Sequence, residues 1–112
     1  MITQLSYAIK YVGDMAAAVR FYQDHVGLKL RFQSPEWSEF ETGSTTLALH
    51  VASPERPAGS CELGFRASDI DSFYTQNSRQ GVKFTSPPTE LHGQRIARFK
   101  DTDGAECSVG GT

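Results

Sequence analysis

The chain has 112 residues and nearly balanced charge, with 13 acidic and 11 Lys or Arg side chains and a formal net charge of −2. That length fits one compact domain, and an aromatic content of 11% argues against a disordered chain. The lack of a basic stripe argues against nucleic-acid binding, and no apolar run approaches the roughly 18 residues that span a membrane. The first residues have neither the basic nor the apolar region of a signal peptide.

The first residues predict a strand followed by a helix. Residues 5–12 are rich in β-branched and aromatic side chains, which favours a strand. Asp14 is then a natural helix N-cap, and Gly27 can take the left-handed conformation that ends a helix. Between them, apolar residues recur on one helical face, namely Met15, Val19, Tyr22 and Val26.

Three further strands complete this part of the chain. They are predicted at 28–33, 37–42 and 45–51, with a turn at Gly43-Ser44 joining the last two. A linker at 53–59 contains Pro54 and Pro57. The order of elements is therefore βαβββ.

The second half of the chain repeats the first, at an offset of about 55 residues. Asp69 is a second N-cap, followed by a helix to about Gln80 and a stop at Gly81. The residues that match in order are Asp14 with Asp69, Phe21-Tyr22 with Phe73-Tyr74, Gly27 with Gly81, Phe40 with Phe99, and Gly43 with Gly104. The sequence thus predicts an α+β domain over 1–112, with module one at 1–52, the linker at 53–59 and module two at 60–112.

The pattern resembles the glyoxalase, bleomycin-resistance and extradiol-dioxygenase superfamily, also called the vicinal oxygen chelate fold. The segments that carry the likeness are YVGDMAAAVRFYQDHVGLKL, WSEFETGSTTLALH, and ELGFRASDIDSFY through GVKF to FKDTDGAE. The resemblance implies that the two tandem βαβββ modules form a curved mixed sheet around a concave pocket. It also implies a homodimer that binds a small molecule.

Most enzymes of that family hold a divalent metal with His, Gln or Glu from the first and last strands of each module. Carried over by the resemblance, the four ligand positions fall on Tyr7, Ala48, Ser60 and Ser108. None of these is a His, Gln or Glu, although a shift in register could bring Glu62 or Glu106 nearer. We therefore expect no family metal and no other cofactor.

Strand alternation indicates which residues share a face with these positions. The expected pocket has aromatic walls and mixed charges, which is typical of small-molecule sites. The predicted ligand-binding residues are Tyr7, Trp37, Glu39, His50, Glu62, Arg66, Arg98 and Ser108.

Each of these residues also has a plainer interpretation. His50 is either a general base or lone ligand, or a partly solvated His at a strand end. Trp37 and Tyr7 either stack on a planar ligand or bury a seam between modules or subunits. Glu39, Glu62 and Arg66 either contact a ligand or form an ordinary polar lining with ion pairs.

The remaining histidines and the cysteines carry no signal for a site. His25 and His92 are expected at a helix end and in a loop. Cys61 and Cys107 are expected on the helix-facing sides of their strands as buried, unreactive thiols. Two cysteines are too few for a disulfide scaffold, so the cytoplasm is the expected location.

Two specific functions remain open at this point, beside a plainer one, a structural or regulatory module with a vestigial pocket. The first is a binding protein that holds a planar or cationic small molecule without metal, as the bleomycin-resistance branch sequesters its drug. The alternative is a lyase or isomerase related to lactoylglutathione lyase, with a relocated metal site or metal-free acid–base catalysis by His50, Glu39 and Glu62. Whether any reaction is catalysed is left open.

Overall fold

A computed structural model describes residues 2–91 and 93–111. The predicted βαβββ order occurs twice, so the α+β class is confirmed. His92, expected in a loop, lies outside the described residues. The elements are β1 (Ile2–Val12), α1 (Met15–Arg20), a π-helical turn (Phe21–His25), β2 (Lys29–Phe32), β3 (Trp37–Glu41), β4 (Thr46–Val51), β5 (Cys61–Ala67), α2 (Ile70–Arg79), β6 (Phe84–Leu91), β7 (Gln94–Lys100) and β8 (Glu106–Gly111).

The chain divides into two compact units. The first is Tyr7–Cys61, and the second contains 62–111 together with the first residues of β1, 2–6. Each unit contains a mixed sheet. In the first, β1 pairs in parallel with β4, which pairs antiparallel with β3, and β3 with β2. In the second, β5 pairs in parallel with β8, which pairs antiparallel with β7, and β7 with β6.

Both predicted helix caps are present. The Asp14 carboxylate accepts a hydrogen bond from the Ala17 N–H at 3.1 Å, and that of Asp69 accepts one from the Ser72 N–H at 3.1 Å. The hydrogen bonds from Ser72 hold the pKa of Asp69 below its usual value, because they favour the charged carboxylate. Each helix satisfies one of its otherwise unpaired first-turn donors in this way.

The first helix ends differently from the prediction. Its last turn is π-helical, with the Val26 N–H donating to the Phe21 carbonyl at 3.2 Å. The wider turn rotates the following residues away from the apolar face, so Val26 is 50% exposed and Leu28 packs against the core instead. Gly27 then takes the predicted left-handed conformation at φ +84°.

One face of each sheet packs under its helix. In the Tyr7–Cys61 unit the buried residues of this core are Val12, Val19, Phe40 and Leu49. In the second unit they are Ala67, Ile70, Ala97 and Val109, with Phe65, Phe73 and Phe99 against them. Phe40 and Phe99 thus lie on the helix side, as strand alternation predicts. Within the described residues, neither helix has the length and hydrophobicity that crossing a membrane requires.

The two thiols differ in exposure, and the prediction for one of them is wrong. Cys107 is buried, and burial raises the pKa of its thiol. Cys61 is exposed although it shares strand parity with Phe65 and Ala67. The reason is that Cys61 is the first residue of β5, and the helix-side core begins further along this strand, at Phe65.

We expect a thiol reagent such as 5,5′-dithiobis(2-nitrobenzoate) to modify one cysteine of the native protein rapidly. Cys61 should react because it is exposed, whereas Cys107 is buried and its raised pKa leaves less thiolate. The Cys61→Ser variant should lose the fast phase, and Cys107→Ser should keep it. A fast phase that survives in Cys61→Ser would contradict the exposure described above.

The last strand provides a matched pair of glycines for a packing test. Gly111 pairs with Ala67, and a Cβ at Gly111 would overlap the Ala67 carbonyl oxygen. A Cβ at Gly110 would have its nearest neighbour at 3.8 Å, an ordinary contact.

Gly111→Ala should therefore lower the free energy of unfolding by about 1–3 kcal/mol, because the methyl group forces backbone movement. Gly110→Ala should leave stability unchanged or raise it, because alanine loses less conformational entropy on folding than glycine. Urea denaturation of both variants measures the difference. Equal stabilities would show that the β5–β8 register described here is wrong.

Candidate functional site

The helix-free face of the Tyr7–Cys61 unit carries a row of aromatic side chains. Parallel pairing sets Tyr11 beside His50 and Ile9 beside Ala48, while β3 sets Trp37 opposite His50. Ile9, Tyr11 and Ala48 are buried on this face. We call its ring-bearing residues the aromatic face, and they are Tyr7, Tyr11, Trp37 and His50.

These four rings contact one another in sequence. Tyr7 and Trp37 have ring centroids 6.0 Å apart with planes inclined at 63°, and Trp37 and His50 are 5.9 Å apart at 86°. Tyr11 and His50 are 5.2 Å apart at 53°. Such edge-on contacts contribute about 0.5–1.5 kcal/mol each beyond burial. Tyr7, Trp37 and His50 remain half-buried, so part of the row is reachable by solvent.

Glu39 fixes the indole ring of Trp37. The Trp37 Nε1–H donates to Glu39 Oε2 at 2.8 Å, and Arg31 Nη1 donates to Glu39 Oε1 at 3.0 Å. Arg31 also donates to Thr46 Oγ1 at 3.2 Å. The Glu39 side chain is only 14% exposed, so its charge is largely balanced within the unit. Glu39 therefore orients an aromatic wall and is poorly placed to attract a cation.

Sequence reasoning missed Arg31 because β2 is irregular. The β2–β3 register shifts between Leu30 and Phe32, with a bulge at this point. Simple alternation along a strand cannot place a residue inside such a bulge. The charge of Arg31 could have indicated this contact, because an Arg in a short edge strand needs an acidic partner on the next strand.

His50 has a defined tautomer. Its Nδ1 lies 2.7 Å from the Val51 carbonyl oxygen, which can only accept a hydrogen bond, so Nδ1 carries the proton. In the neutral ring, Nε2 then holds a lone pair and can accept a hydrogen bond or a proton. His50 thus offers a base beside the indole of Trp37.

The other four predicted site residues lie in the second unit, away from its helix. Arg98 and Ser108 are direct cross-strand neighbours on β7 and β8, and Ser108 also pairs with Gly64. Glu62 is buried, whereas Arg66 is exposed. The structure therefore groups Tyr7, Trp37, Glu39 and His50 in one unit and sets Arg98 beside Ser108 in the other. That these residues bind a ligand stays a prediction.

The spacing of residues from the two helix N-caps corrects one of the expected metal-ligand positions. Tyr7 precedes the Asp14 cap by seven residues, and Glu62 precedes the Asp69 cap by the same number. Glu62, rather than Ser60, is therefore the counterpart of Tyr7. Ser60 lies before β5, where its carbonyl accepts from the Tyr11 N–H at 2.9 Å.

The side chains at these positions do not fit a divalent metal. In the Tyr7–Cys61 unit the positions offer a phenol at Tyr7 and the buried methyl group of Ala48. In the second unit they offer the Glu62 carboxylate and the neutral Ser108 hydroxyl. Zinc, manganese and similar ions need several carboxylate or imidazole donors, which this set lacks. Among residues 2–91 and 93–111, no three His, Cys, Asp or Glu side chains converge where an ion could be held.

A separate open depression of about 300 Å³ lies along α2. Its lining residues are Asp71, Ser72, Thr75, Gln76 and Arg79, none of which the sequence indicated as a site. Asp71 is paired with Arg95 at 2.7 Å, and the surroundings are polar helix surface. The depression offers neither aromatic walls nor enclosure, so we do not assign it a role.

Three similar proteins share low sequence identity with this chain. The Bacillus subtilis (strain 168) protein YetH is 26% identical, over 93% of this chain and 94% of its own length. A Streptomyces coelicolor methylmalonyl-CoA epimerase (S115T), solved with 2-nitronate-propionyl-CoA, superposes with a TM-score of 0.82 at 17% identity, covering 100% of this chain and 96% of its own. The hypothetical protein BH1468 from Bacillus halodurans C-125 also gives 0.82, at 16% identity, covering 97% and 94%. At these identities, the two solved structures establish the fold alone.

The family model covers almost the whole chain. It matches residues 4–109, which include both βαβββ repeats. The chain therefore belongs to the glyoxalase/bleomycin resistance protein/dioxygenase superfamily.

Proposed function

We propose that the protein binds a planar aromatic small molecule against the aromatic face of its Tyr7–Cys61 unit, without the family's metal. The observation that carries this proposal is the row of half-buried rings in mutual contact. Half-buried aromatic side chains on a sheet face gain most when a flat apolar surface covers them. Removing 100 Å² of apolar surface from water contributes roughly 2.5 kcal/mol before the cost of association.

The polar groups on this face favour a neutral ligand with a hydrogen-bond donor. Glu39 is already bonded to Arg31 and Trp37, so its carboxylate has little capacity left for a cation. The Nε2 of His50 can accept a hydrogen bond from a ligand hydroxyl or N–H. A phenol-like or indole-like molecule meets both conditions better than a strongly cationic drug does.

His50 also supports the enzymatic alternative, a lyase or isomerase. Its neutral tautomer leaves a basic Nε2 next to the ring row, where a bound substrate could lose a proton. That reaction would need no metal at the positions of Tyr7, Ala48, Glu62 and Ser108. Turnover of a bound molecule that stops in His50→Gln would favour this alternative over simple binding.

We further propose a cytoplasmic homodimer. The family resemblance supports the dimer, and two free thiols are in keeping with a reducing compartment. Light scattering in solution should give a mass near twice that of one chain. A strictly monomeric protein that still binds ligand would remove the dimer from the proposal but leave the site in place.

The site is tested with 2-naphthol as a flat probe that has one hydroxyl donor, and with cyclohexylmethanol as a non-planar comparison. Calorimetry should detect binding of 2-naphthol and none of cyclohexylmethanol at the same concentration. Tyr7→Leu and His50→Leu should each weaken binding about tenfold, since an aromatic contact of about 1.4 kcal/mol corresponds to that factor.

Phe21→Leu is the matched control, because Phe21 is an exposed ring on the π-helical turn of the same unit. Its loss should leave 2-naphthol affinity unchanged. Equal losses in Phe21→Leu and Tyr7→Leu would mean that the probe binds nonspecifically, which contradicts the proposal. Failure of 2-naphthol to bind the folded protein would also contradict the proposal.

A further inference from the structure

Arg98 carries a buried hydrogen-bond donor that none of the described residues satisfies. The Nε atom of Arg98 is shielded from solvent and has no hydrogen-bond partner among residues 2–91 and 93–111. Arg98 as a whole is half-buried, so part of its side chain is open to solvent. A guanidinium keeps its charge at all physiological pH values, so this group cannot escape the cost by losing a proton.

The position of Arg98 explains why no partner is at hand. Ala97 is fully buried in the core under α2 and Phe99 packs against that core, so Arg98, which lies between them on β7, is on the opposite face. Its cross-strand neighbour on β8 is Ser108, and the next strand has Gly64 in the same row. The residues directly across from Arg98 therefore have small side chains, and the acidic residues of that face, Glu62 and Glu106, lie in other cross-strand rows.

An unpaired N–H of a charged group is costly to bury, and natural proteins pair nearly all such groups. An incoming oxyanion would provide the missing acceptor. We propose that Arg98 holds the carboxylate of a small ligand on the helix-free face of the second unit, its side chain turning outward so that its Nε–H and one Nη–H donate to the two oxygens. The neighbouring Ser108 hydroxyl supplies a third donor.

A monoanionic carboxylate fits this face better than a phosphate. By strand alternation the same face carries the acidic residues Glu62 and Glu106 as well as the basic residues Arg66 and Lys100. The two acidic side chains oppose a dianion, whereas one carboxylate matches the planar fork of one guanidinium. The site lies in a different unit from the aromatic face and does not rest on the function proposed for that face.

The test uses propionate, which has no aromatic ring, and inorganic phosphate as the competing source of an oxyanion. The protein is labelled with 15N-arginine, and the Nε–H resonance of Arg98 is assigned by its loss in Arg98→Lys. Propionate should shift this resonance saturably at constant ionic strength, and phosphate should bind at least fivefold more weakly.

Three variants separate a specific site from general attraction to positive charge. Arg98→Lys and Arg98→Met should weaken propionate binding at least tenfold, whereas Lys100→Gln, on the same strand and face, should change it less than twofold. Arg98→Met should also raise Tm in propionate-free buffer, because it removes a buried unpaired donor.

Any of the following results would overturn the inference. An unshifted Arg98 Nε–H, or equal losses in Lys100→Gln and Arg98→Lys, would show that no specific carboxylate site exists. Tighter phosphate binding would assign a different ligand class. A lower Tm in Arg98→Met would show that the guanidinium has a structural role. Binding of 2-naphthol by the first unit is unaffected by any of these outcomes.

Discussion

The parallel pairing of the first and last strands in each repeat is the constraint on which the remaining structure depends. It places Ile9 beside Ala48 in the first unit and Gly64 beside Ser108 in the second. Once that register is set, alternation decides which side chains pack under the helix and which lie on the free face. A slip of one residue would exchange the two faces and destroy both the core and the candidate site.

The two free faces have diverged in chemistry although the repeats share their architecture. The first unit covers its face with contacting rings and balances the half-buried Glu39 with Arg31. The second has charged side chains and small residues, and the buried Nε of Arg98 there has no acceptor within residues 2–91 and 93–111. Ala48 and Ser108, at two of the expected metal-ligand positions on these faces, do not offer the carboxylate or imidazole donors that such an ion prefers.

Local chemistry made much of the fold predictable from the sequence. Asp14 and Asp69 cap their helices as expected, because short acidic side chains satisfy first-turn donors wherever a helix starts. Strand alternation correctly placed Phe40 on the helix side of the sheet and Trp37 and Glu39 on the helix-free face. These features depend on interactions between residues close in the chain or on a period of two.

Features that depend on irregular backbone or on distant packing were not predictable. The π-helical turn moved Val26 off the apolar face, and the bulge in β2 hid the partnership of Arg31 with Glu39. Cys61 is exposed because the helix-side core does not extend to the start of β5, which no local pattern reports. Whether the Nε of Arg98 finds an acceptor among the described residues likewise depends on its neighbours across two strands.

The central claim is that the aromatic face binds a planar small molecule. A crystal structure of the protein soaked with 2-naphthol measures the ligand position. Ordered density against the rings of Trp37 and His50, with the naphthol hydroxyl within hydrogen-bond distance of His50 Nε2, is the predicted result. Density confined to the surface of α2, with the aromatic face empty at saturating probe, would contradict the claim.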